Sequence, residues 1–198
     1  MLARSSILVA GLLLLGPGAL AAQDHRITER LDPITAGAVQ RLVDSARSAG
    51  LPTEPLVQKA LEGSTLGAGG DRIRAAVSAL FGQLSLARTA LGTSASDAEV
   101  TAAAGAIRAG VPADTLQHLR ELRSGRSLVV PISVLADLVA EGTPLDRAYR
   151  SVFDLARDGR PDDDFLALRR REARQAVGAP DPAEPQTPPP VPDPPAKP

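Results

Sequence analysis

Cysteine is absent from the chain, which excludes disulfides, thiolate metal sites and cysteine nucleophiles. Aromatics are almost missing. There is no tryptophan, and Phe81, Phe153, Phe165 and Tyr149 are the whole set. A core must therefore come from Leu, Val, Ile and Ala, a palette that favours helices packed closely through small side chains. Lysine is confined to Lys59 and Lys197, so the basic character is nearly all arginine. With a formal net charge of −1, the chain has no global field to recruit nucleic acid or an anionic membrane.

Only one long apolar run exists, at the start. Arg4 precedes Ile7–Leu15, Gly16-Pro17-Gly18 breaks the run, and Ala19-Leu20-Ala21 supplies an A-x-A site. That order is the secretory-signal pattern, with cleavage after Ala21. A membrane span needs about 20 apolar residues, so the run is too short to be an anchor. With no cysteine at the cleavage site, a lipid-modified N-terminus is also excluded. The expectation is an exported protein, periplasmic or extracellular, with no stable membrane insertion once residues 1–21 are removed. Residues 22–31 read as a flexible mature N-terminus.

At the other end, half of residues 179–198 are proline, interleaved with Asp, Ala, Glu, Gln and Thr. Such a composition cannot bury a core and reads as a disordered tail with local polyproline II character. Thr187-Pro188-Pro189-Pro190-Val191-Pro192 contains P-x-x-P frames, which an aromatic-lined groove can read. The bland alternative is a solvated tail with no reader.

Between these ends, residues 32–178 form one domain's worth of chain. Apolar residues recur at helical spacing, as in Ile73, Val77, Leu80, Phe81, Leu84 and Leu91. Leu128-Val129-Val130 is the one strand candidate. Because Pro131 follows and pushes Val130 towards an extended conformation, it reads as a buried connector. The fold class is all-α, with about eight short helices at 33–49, 53–62, 71–91, 96–109, 112–124, 131–141, 145–158 and 161–177. Ser96 with Glu99 predicts a capping box for the fourth of them.

The boundaries repeat. Gly50-Leu51-Pro52-Thr53-Glu54 matches Gly110-Val111-Pro112-Ala113-Asp114, and the frame returns at Gly142, Pro144, Asp146 and at Gly159, Pro161, Asp163. Glycine closes one helix in the left-handed region, proline begins the next, and the acid meets the positive end of its dipole. Glycine stops at 50, 67, 92, 110, 125, 142 and 159 are 17, 25, 18, 15, 17 and 17 residues apart. One helix and a turn fit each interval. This predicts either stacked helical hairpins of α-solenoid type or a compact orthogonal bundle sharing the same capping grammar.

Chemistry is sparse. His25 lies beside the mature N-terminus, and His118 stands one helical turn after Asp114. A carboxylate–histidine pair can orient an imidazole, but no serine completes a triad, and an exposed helix-face pair is the simpler reading. Asp162-Asp163-Asp164 lacks the alternate spacing of a calcium loop and fits a helix N-terminus. Arg169, Arg170, Arg171 and Arg174 form a basic patch suited to a helix C-terminus and, without interleaved aromatics, poor for single-stranded nucleic acid. Gly67-Ala68-Gly69-Gly70 lacks the preceding strand and the lysine of a phosphate-binding loop. No catalytic residue, metal site or cofactor is assigned, and nucleic acid is not expected as a partner.

Two functional readings follow. The first is an exported, non-catalytic interaction or scaffold protein of the bacterial cell envelope, with a protein partner engaged through the helical surface or the proline-rich tail. The second is a periplasmic small-ligand binder or enzyme using a carboxylate and arginine pocket between helices.

Overall fold

All seven glycines that punctuate the sequence carry positive φ: Gly50, Gly67, Gly92, Gly110, Gly125, Gly142 and Gly159. Gly110 shows what this conformation does. Its φ is 100°, a region costing a side-chain-bearing residue about 1 kcal/mol or more. Gly110 N–H donates to Ile107 O at 3.0 Å, and Val111 N–H to Ala106 O at 2.9 Å. This crossed pair is the Schellman closure, accompanied here by burial of Val111 and Ala106. The same two bonds close the helices before Gly50, Gly67, Gly142 and Gly159. Gly92 differs: it is itself the cap and returns a single bond to Arg88 O.

A computed structural model describes residues 25–178. The sites at Ala19 and Ala21, and the tail from 179 to 198, lie outside the described residues. A short helix, α1, spans 25–30. It is followed by α2 (Pro33–Ser48), α3 (Glu54–Thr65), α4 (Gly70–Leu91), α5 (Asp97–Arg108), α6 (Ala113–Leu122), α7 (Val129–Ala140), α8 (Leu145–Arg157) and α9 (Asp162–Gly178). The described residues hold no strand.

Prolines start helices one position earlier than the repeat suggests. Pro112 and Pro144 are N-caps with extended ψ of 147° and 134°. Pro161 stands just before α9, and its carbonyl accepts from Asp164 N–H. An N-cap must leave the helical region while its carbonyl accepts the first helical bond, and proline's fixed φ suits both. Pro52 lies one residue before the N-cap Thr53, with Pro55 in the first turn of α3. The predicted capping box is present: Ser96 caps α5 and Glu99 reaches back to Ser96 N–H.

Two expectations are corrected. Val129 and Val130 are not an extended connector but the first residues of α7, with Leu128 as its N-cap. Proline disfavours a helical residue before it without forbidding one, and Pro131 in the first turn removes an N–H that has no helical partner anyway. At the start of the chain, 25–30 are helical in place of the expected flexible segment, and Ile27 is fully buried. One buried isoleucine contributes about 2 kcal/mol, enough to help hold a short helix in place. Arg26 adds a paired bond to Glu54 on α3.

Helices pack substantially only with those next to them or next but one along the chain. Thus α2, α4, α6 and α8 follow one another in one row, while α5, α7 and α9 follow in a second. The result is a compact two-row stack of helical hairpins. Its core is Leu, Val, Ile and Ala, joined by Phe153 and Phe165. Small residues set some of the spacing. A Cβ on Gly63, inside α3, would sit 2.9 Å from an Ile73 side-chain carbon, so this glycine lets α4 approach.

Candidate functional site

Arginine and carboxylate side chains do most of the polar work in the stack, and several of them tie one helix or turn to another. Arg88 of α4 donates to Ala95 O at 2.6 Å and Gly50 O at 2.9 Å. It thereby ties the α2–α3 turn to the α4–α5 turn. Arg123, at the end of α6, is buried. It donates to Arg160 O at 3.0 Å and Asp162 Oδ1 at 2.8 Å, and its guanidinium lies 4.9 Å from the Phe165 ring centroid. Burial and the neighbouring Arg126 lower its pKa, against the pull of Asp162.

Glu99 is the other charged residue buried among the described residues. It accepts from Ser96 N–H and hydroxyl, and from Leu128 N–H. Arg120 Nη2 stands 2.9 Å from its Oε1. Burial alone would raise this carboxyl's pKa, but the hydrogen bonds from Ser96, Leu128 and Arg120 outweigh it and hold the group below its ordinary value. This cluster joins α5, α6 and α7, with Glu99 and Leu128 buried at its centre and its polar groups paired with one another, so its role is architectural. The sequence exposes the Ser96–Glu99 half through the capping-box spacing. The bonds to Leu128 and Arg120, and those made by Arg88 and Arg123, leave no local signal.

The surface candidates fall in separate places. Asp114 and His118 are both on α6, away from the buried face of that helix. Asp114 accepts from Thr115 N–H, as expected in a first turn, and no hydrogen bond or ion pair joins it to His118 among the described residues. His25 lies 3.2 Å from Glu29 on the exposed side of α1. Of the acidic run, Asp162 is taken by Arg123 and Asp164 by Arg160. No group of three or more His, Asp or Glu converges as a metal site among the described residues. Gly67 closes α3 and Gly69 caps α4, which accounts for the glycine-rich stretch.

The four arginines of α9 do not share one face. Arg169 turns towards α7, 3.1 Å from Asp137 and 3.8 Å from Glu141, and Arg170 lines a hollow beside Glu141. Arg171 and Arg174 instead line a cleft of about 560 Å³ between α8 and α9.

A second recess runs between α3 and α5. Hollows of about 640 Å³ and about 490 Å³ meet at Thr101. Pro55, Gln58, Lys59 and Glu62 form the α3 wall, and Ala98, Thr101, Ala102 and Gly105 form the α5 wall, both at one-face helical spacing. Ala76, Ala79 and Leu80 of α4 line the hollow towards the helix ends. With α3 and α5 each 12 residues long, the furrow is about 18 Å in length.

No protein-family model matches the chain, and no curated protein or solved structure matches it either. Among the described residues, no helix is long and apolar enough to cross a membrane.

Proposed function

We propose that this protein is an exported, non-catalytic interaction or scaffold protein of the bacterial cell envelope, and that it holds a helical segment of a protein partner in the furrow between α3 and α5. The furrow is the observation that carries this reading. Along the second row α5 packs on α7 and α7 on α9, whereas between α3 and α5 a helix-length recess stays open. Small side chains on the α5 wall allow another backbone to come close, and the α3 wall offers Gln58, Lys59 and Glu62 for polar contacts at the rim. A helix lying in a groove is an established mode of segment recognition.

The experiment is site-specific photo-crosslinking in envelope preparations. A crosslinker at Thr101 should give a discrete adduct, one at the exposed Gln117 on α6 should not, and Gly105→Arg should abolish the Thr101 adduct while leaving the far-UV spectrum unchanged. Equal adducts from both positions, or none from Thr101, count against the furrow. Export is tested separately: protein from the periplasmic or medium fraction should begin at Ala22, and recovery of chains beginning at Met1 would overturn that part.

A second reading, a binder of a small ligand in a carboxylate and arginine pocket between helices, is favoured by the cleft between α8 and α9.

A further inference from the structure

We infer that the cleft between α8 and α9 is a binding site for a small organic oxyanion, its charged head held between Arg171 and Arg174 and its apolar part lying over Leu155. The inference rests on the small-ligand reading and is independent of the α3–α5 furrow. The cleft measures about 560 Å³, within the range of small-molecule sites. Its walls carry three guanidiniums, from Arg160, Arg171 and Arg174, and two carboxylates, from Asp154 and Asp164. The carboxylates are engaged: Asp164 by Arg160, and Asp154 by Arg157 at 3.0 Å. Glu172 lies next to Arg171, but its nearer partner is Arg147, at 3.0 Å against 4.0 Å. Arg171 is left with that one long contact, and Arg174 has no ion pair among the described residues.

These two arginines stand three positions apart on α9, so both side chains project from adjacent turns of one face. Two guanidinium forks at that spacing match the paired oxygens of a phosphate or carboxylate. Ser151, on the α8 wall, adds a hydroxyl. The hydroxyls of Ser45, Ser48, Ser85 and Thr89 each donate to the carbonyl four residues back. Ser151 makes no such bond among the described residues, so its hydroxyl is free to donate into the cleft. Arg147 pins the other end of the hairpin, reaching both Glu172 and Gln175 of α9 at 3.0 Å. These bonds join α8 to α9 beside the cleft.

Calorimetric titration of the purified chain with phenyl phosphate, benzoate and neutral benzyl alcohol tests this. Phenyl phosphate, benzoate or both should bind saturably and weaken as salt is raised, and the stronger of the two identifies the head group. Binding should fall at least tenfold in R171Q/R174Q, whose substituted side chains are exposed, and stay unchanged in R169Q, which faces α7. Retained far-UV signal and melting temperature show that the double variant is folded. Binding of benzyl alcohol as tight as the stronger anion, or equal binding by R171Q/R174Q, overturns the oxyanion assignment while sparing a ligand site. No saturable binding by any probe up to about 10 mM overturns both the assignment and the small-ligand reading.

Discussion

Glu99 Oε1 accepts the backbone N–H of Leu128 at 3.0 Å, so a side chain in the first turn of α5 satisfies the N-cap residue of α7. One carboxylate thus caps its own helix and steadies the start of another, with Arg120 of α6 supplying the counter-charge.

That arrangement makes stability depend on acid. The folded pKa of Glu99 lies below its ordinary value, so its contribution is complete above the unfolded value and is lost as pH falls through the folded one. Asp32, which caps α2, is also depressed, chiefly by its hydrogen bonds to Thr35, and acts in the same direction. Glu99→Gln should cost about 1–2 kcal/mol near neutral pH. The gap between wild type and variant should narrow as pH falls through and below the ordinary carboxylate range. Urea unfolding across that series measures it. A constant gap would mean that the charge on Glu99 is irrelevant.

Gly110 and Gly105 should respond oppositely to a side chain. A Cβ added at either position would meet no atom within 4 Å, so crowding is absent at both and backbone conformation decides the sign. Gly110→Val places a β-branched residue at φ 100° and should destabilise by at least about 1 kcal/mol. Gly105→Ala, inside α5, should stabilise by about 0.5–1 kcal/mol. Chemical denaturation of both variants compares them, and a neutral Gly110→Val would remove the basis of the repeat.

Arg123→Lys should destabilise by about 2 kcal/mol, because an ammonium cannot reach Arg160 O and Asp162 together while lying on Phe165. Arg126→Lys, at an exposed residue donating to Gly159 O, should change stability by less than about 0.5 kcal/mol. Equal effects in denaturant titrations would show that the buried arginine acts through charge alone.

Deleting residues 179–198 should leave the melting temperature within about 1 °C of the full chain, since that composition has little apolar surface to bury. A calorimetric scan showing a clear drop would place the tail against the helices.

The helix boundaries are readable because they are written locally. Glycine at 50, 110, 142 and 159, the following proline and the first-turn acid each act within one turn of the chain. Val130 defeats the reading because the residue before a proline is only biased, and tertiary packing of Leu128 and Ile132 overrides the bias. Ile27 escapes notice because a short helix with one buried side chain has no periodicity to show. The candidate sites are legible as residues but not as places. Sequence puts Arg169 to Arg174 in one patch, while the helix turns them towards two different neighbours, and no spacing rule links Thr101 of α5 to Gln58 of α3.

The habit of each helix packing chiefly on its neighbour or next neighbour also bears on how the chain reaches this state. Packed helices are close in chain order, so the loops closed at each step stay limited, as between Arg123 and Asp162, 39 residues apart, and so does the entropy lost before contacts form. Contacts of this limited reach favour faster folding than long-range β pairing does. A chain emerging from its amino end can complete each hairpin as soon as the next two helices have appeared, without waiting for its carboxyl terminus.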